Sequence, residues 1–313
     1  MRILITGGAG FIGSHVVDAY VAAGHEVAVV DDLSTGSREN LHPAARFWQA
    51  DIRGADLQRI VAEFRPEVVS HHAAQMSVSV SARDPKLDAD INILGLLNLL
   101  EAAVGSGVRR VVFASTGGAM YGDRDALPVP ETVFPAPVSP YGVAKLASER
   151  YLHAFRCMHG LQAVALRYAN VYGPRQNPHG EAGVVAIFCR AILEGRPLTV
   201  NGDGEQTRDY VCVDDIVRGN LLATGMPMPA ELPVLNLGTG VEATVKDLVR
   251  LLREIAGREI DVRHGPAKPG EQRRSALDAN LASRQLGWRA GTELRDGLAR
   301  TFAWFAEQHG EKR

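Results

Sequence analysis

The chain has 313 residues, with 34 Lys and Arg against 36 Asp and Glu, so its formal charge is −2. Near-neutrality excludes a general nucleic-acid binder, which needs a basic field. Three cysteines (Cys157, Cys189, Cys212) without CxxC spacing argue against a disulfide framework or a structural zinc site, and no apolar run approaches the ~20 residues of a membrane span.

The N-terminal Arg2–Thr6 reads as a strand running into glycines, not as a signal peptide. Phe11–Ala23 has helical periodicity, and Glu26–Val30 is a strand ending at Asp31-Asp32. Arg46–Ala50 is a weaker strand, Asp56–Phe64 a helix and Glu67–Ser70 a strand. Asp84–Val104 reads as one long helix, followed by strand Arg110–Ser115, helix Tyr141–His159 and strand Ala163–Arg167. Continuous apolar strands alternating with helices predict a parallel sheet covered on both faces, and right-handed crossovers make it doubly wound, a Rossmann-type α/β fold. After about Asn170 the loops become richer in Gly and Pro, and helices are expected at Val184–Glu194, Asp214–Thr224, Thr244–Ala256 and Leu294–Glu307. Val234–Leu237 is a short apolar run suited to rejoin the first sheet. The expected division is residues 1–169 as a dinucleotide-binding domain, with a return around 207–240, and 170–313 as a smaller, predominantly substrate-binding α/β domain.

Glycine is in excess, at 32 residues, and three of them stand at Gly7, Gly10 and Gly13, between a strand and a helix. Gly7 suits a tight turn, Gly10 a close approach of backbone to a pyrophosphate, and Gly13 close helix–strand packing; the helix N-terminus adds N–H groups and a positive dipole end. With Asp31 closing the second strand, the pattern reads as a dinucleotide site. A carboxylate there accepts from the ribose hydroxyls and repels a 2′-phosphate, which selects NAD over NADP. Asp32 beside it reads as solvated.

Tyr141 and Lys145 lie four apart at the start of a helix, on one face. A neighbouring ammonium favours phenolate, so a lowered tyrosine pKa and a general-base role are expected. Ser115-Thr116 stands at the C-terminal end of a strand, where open α/β sheets bind ligands.

With these features in order along most of its length, the chain resembles an extended short-chain dehydrogenase/reductase, and within that group the UDP-glucose 4-epimerase family of NAD-dependent epimerase/dehydratases. The matching segments are Gly7–Gly13, Asp31, Asp51-Ile52, His72-Ala73-Ala74-Gln75, Asn92, Ser115–Gly118, Tyr141 with Lys145, Arg167–Asn170, Arg208–Val211 and Asn236–Gly240. The resemblance implies a cofactor site of Gly7, Gly10, Phe11, Ile12, Gly13, Asp31, Asp32, Leu33, Ser34, Thr35, Gly36, Asp51, Ile52, His72, Ala73, Ala74, Gln75, Asn92, Ser115, Tyr141, Lys145 and Tyr168. It places the substrate on Gln75, Thr116, Gly117, Gly118, Tyr141, Asn170, Gly183, Val184, Val185, Val200, Asn201, Arg208, Lys268 and Glu271. Asn170 and Arg208 match residues on the nucleotide diphosphate, and Lys268-Pro269-Gly270-Glu271 resembles a family Arg-Pro-Gly-Asp segment. Asn201 stands where many relatives carry an aromatic, and Ser275 is a small residue near the hexose, consistent with N-acetylated sugars.

The implied reaction is epimerisation at C4 of a UDP-hexose, with Thr116, Tyr141 and Lys145 as the catalytic set and Ser115 as the alternative hydroxyl. Nucleotide-sugar dehydratases carry Asp-Glu after the threonine; Gly117-Gly118 lacks both acids and is expected to leave open space beside the hydroxyl. A UDP-glucuronate epimerase or decarboxylase and a non-catalytic NAD-binding regulator are the other readings. A cytoplasmic homodimer, with no nucleic-acid or membrane partner and no metal, completes the expectation.

Overall fold

A computed structural model describes residues 1–178, 183–267 and 272–310. The chain runs β1 (Arg2–Thr6), α1 (Phe11–Ala22), β2 (Glu26–Asp31), β3 (Arg46–Gln49), α2 (Asp56–Phe64), β4 (Val68–His71), α3 (Val78–Arg83), α4 (Pro85–Ala89), α5 (Gly95–Gly105), β5 (Arg110–Thr116), α6 (Pro140–His159) and β6 (Gln162–Tyr168). It continues with β7 (Asn170–Tyr172), α7 (Val184–Leu193), β8 (Leu198–Asn201), β9 (Thr207–Arg208), β10 (Tyr210–Cys212), α8 (Val213–Gly225), β11 (Val234–Leu237), β12 (Ala243–Thr244), α9 (Val245–Ala256), β13 (Val262–Gly265), α10 (Asn280–Leu286) and α11 (Leu294–Gly310).

Seven strands form one parallel sheet in the order β11-β6-β5-β4-β1-β2-β3. Side-chain alternation sends Ile3 and Ile5 into one core with Val16, Val17, Tyr20 and Trp288. Leu4 enters the opposite core with Leu57, Leu96, Leu99 and Phe155. Both faces are thus sealed, which is why the strands read as unbroken apolar runs. Chain order reverses between β1 and β4, and the crevice at such a switch point is where ligands bind. A third core, around Tyr172, Phe188, Leu248 and Leu298, joins α7, α9 and α11. Val234–Leu237 does join the large sheet, parallel to β6.

The sequence reading departs from the structure at Asp84–Val104. Asp84 is an N-cap, its Oδ1 accepting from Leu87 N at 3.0 Å, and Pro85 starts a new helix because the residue before proline is pushed out of helical geometry. The chain then widens into a π-turn over Asp90–Leu94 before α5 begins. The two-strand pairs β7–β10, β8–β13 and β9–β12 and helix α10 had no signal in the periodicity. Helix α6 starts cleanly, with Ser139 Oγ accepting from Gly142 N at 3.2 Å and Pro140 in the first turn; this seats Tyr141 at its mouth.

Candidate active site

The glycines after β1 are fixed by backbone contact. Gly7 has φ +70°, and a Cβ there would lie 2.5 Å from Ala73 N; a Cβ at Gly13 would lie 2.1 Å from Gly7 O. No side chain in either position is compatible with the turn. Helix α1 starts at N-cap Gly10 with no side-chain cap and no acid in its first turn, so Phe11, Ile12 and Gly13 present an uncapped, positive helix end. A tight glycine cradle feeding such an end fits a dinucleotide diphosphate.

Asp31 is 7% exposed, with Oδ2 accepting from Ala9 N at 2.9 Å and Oδ1 from Leu33 N at 2.8 Å. Burial raises its pKa, and the two backbone N–H groups oppose that rise. Each oxygen keeps acceptor capacity for a ligand hydroxyl. The loop through Leu33, Ser34, Thr35 and Gly36 is strapped onto the glycine turn: Ser37 N and Asn40 Nδ2 both donate to Ala9 O at 3.0 Å. Gly36 lacks a Cβ because one would sit 2.9 Å from the Ala9 carbonyl carbon. Asp32 is exposed and holds Ser34 through its N–H and hydroxyl.

Several expected contacts are spent elsewhere. Asp51 is gripped by Arg53, whose hydrogen bonds hold its carboxyl below the usual range. Ile52 is buried in the core, with Gly95 making room for it. Tyr168 is also a core side chain, its hydroxyl shared with Asn220. Gln75 and Asn92 lock onto each other: Gln75 N donates to Asn92 Oδ1 at 3.0 Å, and Asn92 Nδ2 donates to Gln75 O at 2.9 Å. Their remaining amide protons go to Asp88 Oδ1, at 2.8 Å from Gln75 and 3.0 Å from Asn92, and to Ser77 O. They shape the turn after β4 more than they offer polar atoms to a ligand. His72 Nε2 lies 2.9 Å from Ser70 Oγ, and burial pushes its imidazole down to about 3, so it is neutral. Thr6 Oγ1 receives the N–H of Ala73, next to Ala74, at 3.4 Å.

The two candidate hydroxyls separate. Ser115 is 4% exposed and donates to Glu149 Oε1 at 2.7 Å, whereas Thr116 Oγ1 accepts from Ala119 N at 3.3 Å and lies near enough to Tyr141 to favour its phenolate. Lys145 is 3% exposed; Nζ donates to Ala114 O at 2.9 Å, 4.8 Å above the Phe113 ring and 5.9 Å from the Tyr141 ring centre. Burial pushes this amine down to about 8, with Asp88 and Glu149 pushing back. The expected lowering of the Tyr141 pKa is not found. Burial raises it to about 12, with the nearby Thr116 hydroxyl opposing the rise and the Asp88 charge adding to it, while the Lys145 ammonium is bonded to a main-chain carbonyl.

Gly117 is likewise corrected. It does not face open space: a Cβ there would lie 2.3 Å from Leu277 Cδ1 and 2.8 Å from Cδ2. Gly118 has ordinary room, its nearest neighbour being Asn170 Oδ1 at 3.5 Å. That Asn170 oxygen is buried and has no partner among the described residues. Arg208 lies in β9, its Nη1 donating to Thr207 O at 2.8 Å. Gly183 caps α7, and Val184 is partly exposed in its first turn. Val185 and Val200 point into the third core instead of a cleft, while Asn201 is partly exposed. Lys268 and Glu271 lie outside the described residues.

Sequence reasoning missed four residues that organise this region. Glu149 binds Arg167 through Nε at 2.9 Å and Nη2 at 2.6 Å. Asp209, fully buried, takes Thr239 N, Thr239 Oγ1, Gly240 N and Leu277 N at 2.6–3.1 Å, fastening the strand of Arg208 to the Gly238–Gly240 loop. Leu277 fills the space at Gly117, and Asp88 holds Gln75 and Asn92. Glu149 was readable, since it falls one turn after Lys145, as Lys145 does after Tyr141; the others meet only in space.

Among known proteins, the model of the NAD dependent epimerase/dehydratase family matches residues 3–238. A UDP-glucose 4-epimerase of Mycolicibacterium smegmatis is 46% identical over 310 residues, covering 97% of this chain and 98% of the relative. The crystal structure of UDP-glucose 4-epimerase with UDP-glucose from Thermotoga maritima is 48% identical, with TM-score 0.96 over 98% of this chain and 99% of that one. The Thermus thermophilus UDP-glucose 4-epimerase complex with NAD is 46% identical, with TM-score 0.92 over 97% and 99%. The parallel sheet, the glycine cradle and these full-length likenesses agree: the chain belongs to the NAD dependent epimerase/dehydratase family.

Proposed function

We infer that this chain is a NAD-dependent 4-epimerase of UDP-hexoses, an isomerase that interconverts UDP-glucose and UDP-galactose. The observation that carries the reading is Tyr141 at the mouth of α6, close to Thr116 at the end of β5 and one turn from the buried Lys145. The glycine cradle Gly7–Gly13 would hold the diphosphate of the cofactor, Asp31 the adenosine ribose, and Lys145 with Tyr141 the nicotinamide end. Bound NAD⁺ supplies a cationic ring and the acceptor, then donor, of the C4 hydride. Tyr141, as phenolate, takes the proton of the sugar 4-hydroxyl and returns it after the 4-keto sugar has turned over. Thr116, beside Tyr141, would orient the 4-hydroxyl in that exchange. Because burial raises the Tyr141 pKa, release of the phenol proton calls for positive charge near the ring.

On the sugar side, Asn170 and Arg208 would take the UDP diphosphate, with Gly118 and Val184 beside the sugar nucleotide. Arg208 suits this task as a permanently charged, forked donor. Residues 1–169, with the return at 207–240, make the cofactor half and 170–313 the predominantly substrate half. A dehydratase is disfavoured, since neither Gly117 nor Gly118 supplies an acid and Leu277 occupies the space of a side chain at 117. Leu87, Leu94, Val143 and Tyr151 are exposed apolar positions along α4 to α6, which supports a homodimer joined there; a cytoplasmic enzyme is proposed. Among the described residues no helix is long and apolar enough to cross a membrane. The test is Tyr141→Phe: loss of the general acid–base hydroxyl should lower kcat roughly 10²–10⁴-fold with NAD still bound. A fully active variant would sink the mechanism.

A further inference from the structure

Asp88 is a buried carboxylate with half its capacity unused. Its side chain sits in α4, 1% exposed, and Oδ1 accepts from the neutral amides of Gln75 and Asn92. Oδ2 is buried and has no partner among the described residues. The element that carries it is fixed against the helix of Tyr141 and Lys145: α4 packs on α6, and Ser148 Oγ donates to Asn92 O at 3.1 Å. The π-turn at Asp90–Leu94, between Asp88 and α5, brings Asn92 into this cluster. Such wide turns in helices concentrate at functional sites.

Among the described residues, the groups facing Lys145 are few. From α6 come Tyr141 and Glu149, from β4 the neutral His71 and His72, from β5 the Ala114 carbonyl and the Phe113 ring, and from α4 Asp88. Glu149 is already neutralised by Arg167. Asp88 is therefore the carboxylate in this set whose bonded partners are all uncharged.

We propose that Asp88 is a positioning residue of this site: its buried carboxylate is the counter-charge to the Lys145 ammonium, which Ala114 O holds in the cleft. This rests on the reading of Tyr141 and Lys145 as the working pair. The electrostatics agree in sign. Burial lowers the Lys145 pKa, and Asp88 leads the charges that raise it. Removing the carboxylate lowers it further, so the lysine loses its proton at lower pH; it also removes a charge that raises the Tyr141 pKa, which moves the acid limb and not the alkaline one. A residue serving only the packing of α4 would have no such effect.

The experiment is the pH dependence of kcat for UDP-galactose with purified protein, from about pH 6 to about pH 10, in wild type, Asp88→Asn and Asp88→Glu. Asparagine keeps an oxygen for Gln75 and Asn92 and removes the charge; glutamate keeps the charge. The expected result is that the alkaline limb moves down by about one pH unit in Asp88→Asn and stays near its wild-type position in Asp88→Glu, with KM changed less than kcat. Asp88→Ser replaces the asparagine variant if that protein does not accumulate in folded form. An unmoved limb in the charge-removing variant, with the profile unchanged or lowered by one constant factor, overturns the proposal. A wild-type protein that does not turn over UDP-galactose instead overturns the reading on which it rests.

Discussion

The buried pair Glu149–Arg167 sits directly behind the candidate site, and its removal gives a sharp test of how that site is supported. The side chains are 3% and 4% exposed. Glu149 receives three donors: Ser115 Oγ at 2.7 Å, Arg167 Nε at 2.9 Å and Nη2 at 2.6 Å. Arg167 Nη1 also donates to Tyr121 Oη at 2.8 Å, which in turn donates to Asn236 Oδ1 at 2.8 Å. Arg167→Met leaves a carboxylate in the core with only Ser115. Stranding a buried charge costs about 3–5 kcal/mol. At roughly 2–3 °C per kcal/mol for a chain of this size, the melting midpoint should fall by about 6–15 °C. In Arg167→Met with Glu149→Met the charge is gone, Tyr121 keeps Asn236, and Ser115 alone loses its acceptor, an effect of about 1–3 kcal/mol. The double variant should therefore be more stable than the single one, with a coupling of about 2 kcal/mol or more in urea unfolding. Additive losses would refute the reasoning, because they would mean that the two side chains act independently.

Three further outcomes follow. Gly13→Ala puts a methyl 2.1 Å from the Gly7 carbonyl oxygen, backbone against backbone, so the variant should fold but release little or no NAD when denatured and assayed for nucleotide. Gly117→Asp should not create a dehydratase: its Cβ meets Leu277, the overpacking costs about 1–3 kcal/mol, and NMR of the products should show no 4-keto-6-deoxy sugar. Thr116→Ala should lower kcat by about 10²-fold or more, whereas Ser115→Ala should act mainly on stability, by about 1–3 kcal/mol, because its hydroxyl is turned to Glu149. Equal kinetic losses in the two would remove the distinction between them.

The parts legible in the sequence were those with local causes. Gly7, Gly10 and Gly13 announce their turn because no other residue fits it, and Ser139-Pro140 announces the start of α6. The run Val111-Val112-Phe113 declares a strand covered on both faces. What stayed hidden depends on distant partners. Gly117 reads as open space until Leu277, 160 residues on, is seen to fill it. Gln75 and Asn92 read as ligand contacts until Asp88 is found holding both. The Tyr141 pKa rises instead of falling because spacing puts Lys145 on the same face but does not reveal how deeply the phenol is buried or that Asp88 adds its charge. Short pairs such as β7–β10 carry too few residues for a pattern and exist only through long-range pairing.

The central claim is that C4 of a UDP-hexose is oxidised and reduced within one pocket by a hydride that never exchanges with water. It is tested most directly by incubating the purified protein with UDP-galactose in D₂O, without added NAD, and following the anomeric and C4 positions by NMR. The account predicts conversion to an equilibrium mixture with UDP-glucose and no deuterium at C4. Solvent deuterium at C4, or no UDP-glucose formed from a folded, NAD-loaded protein, would contradict it.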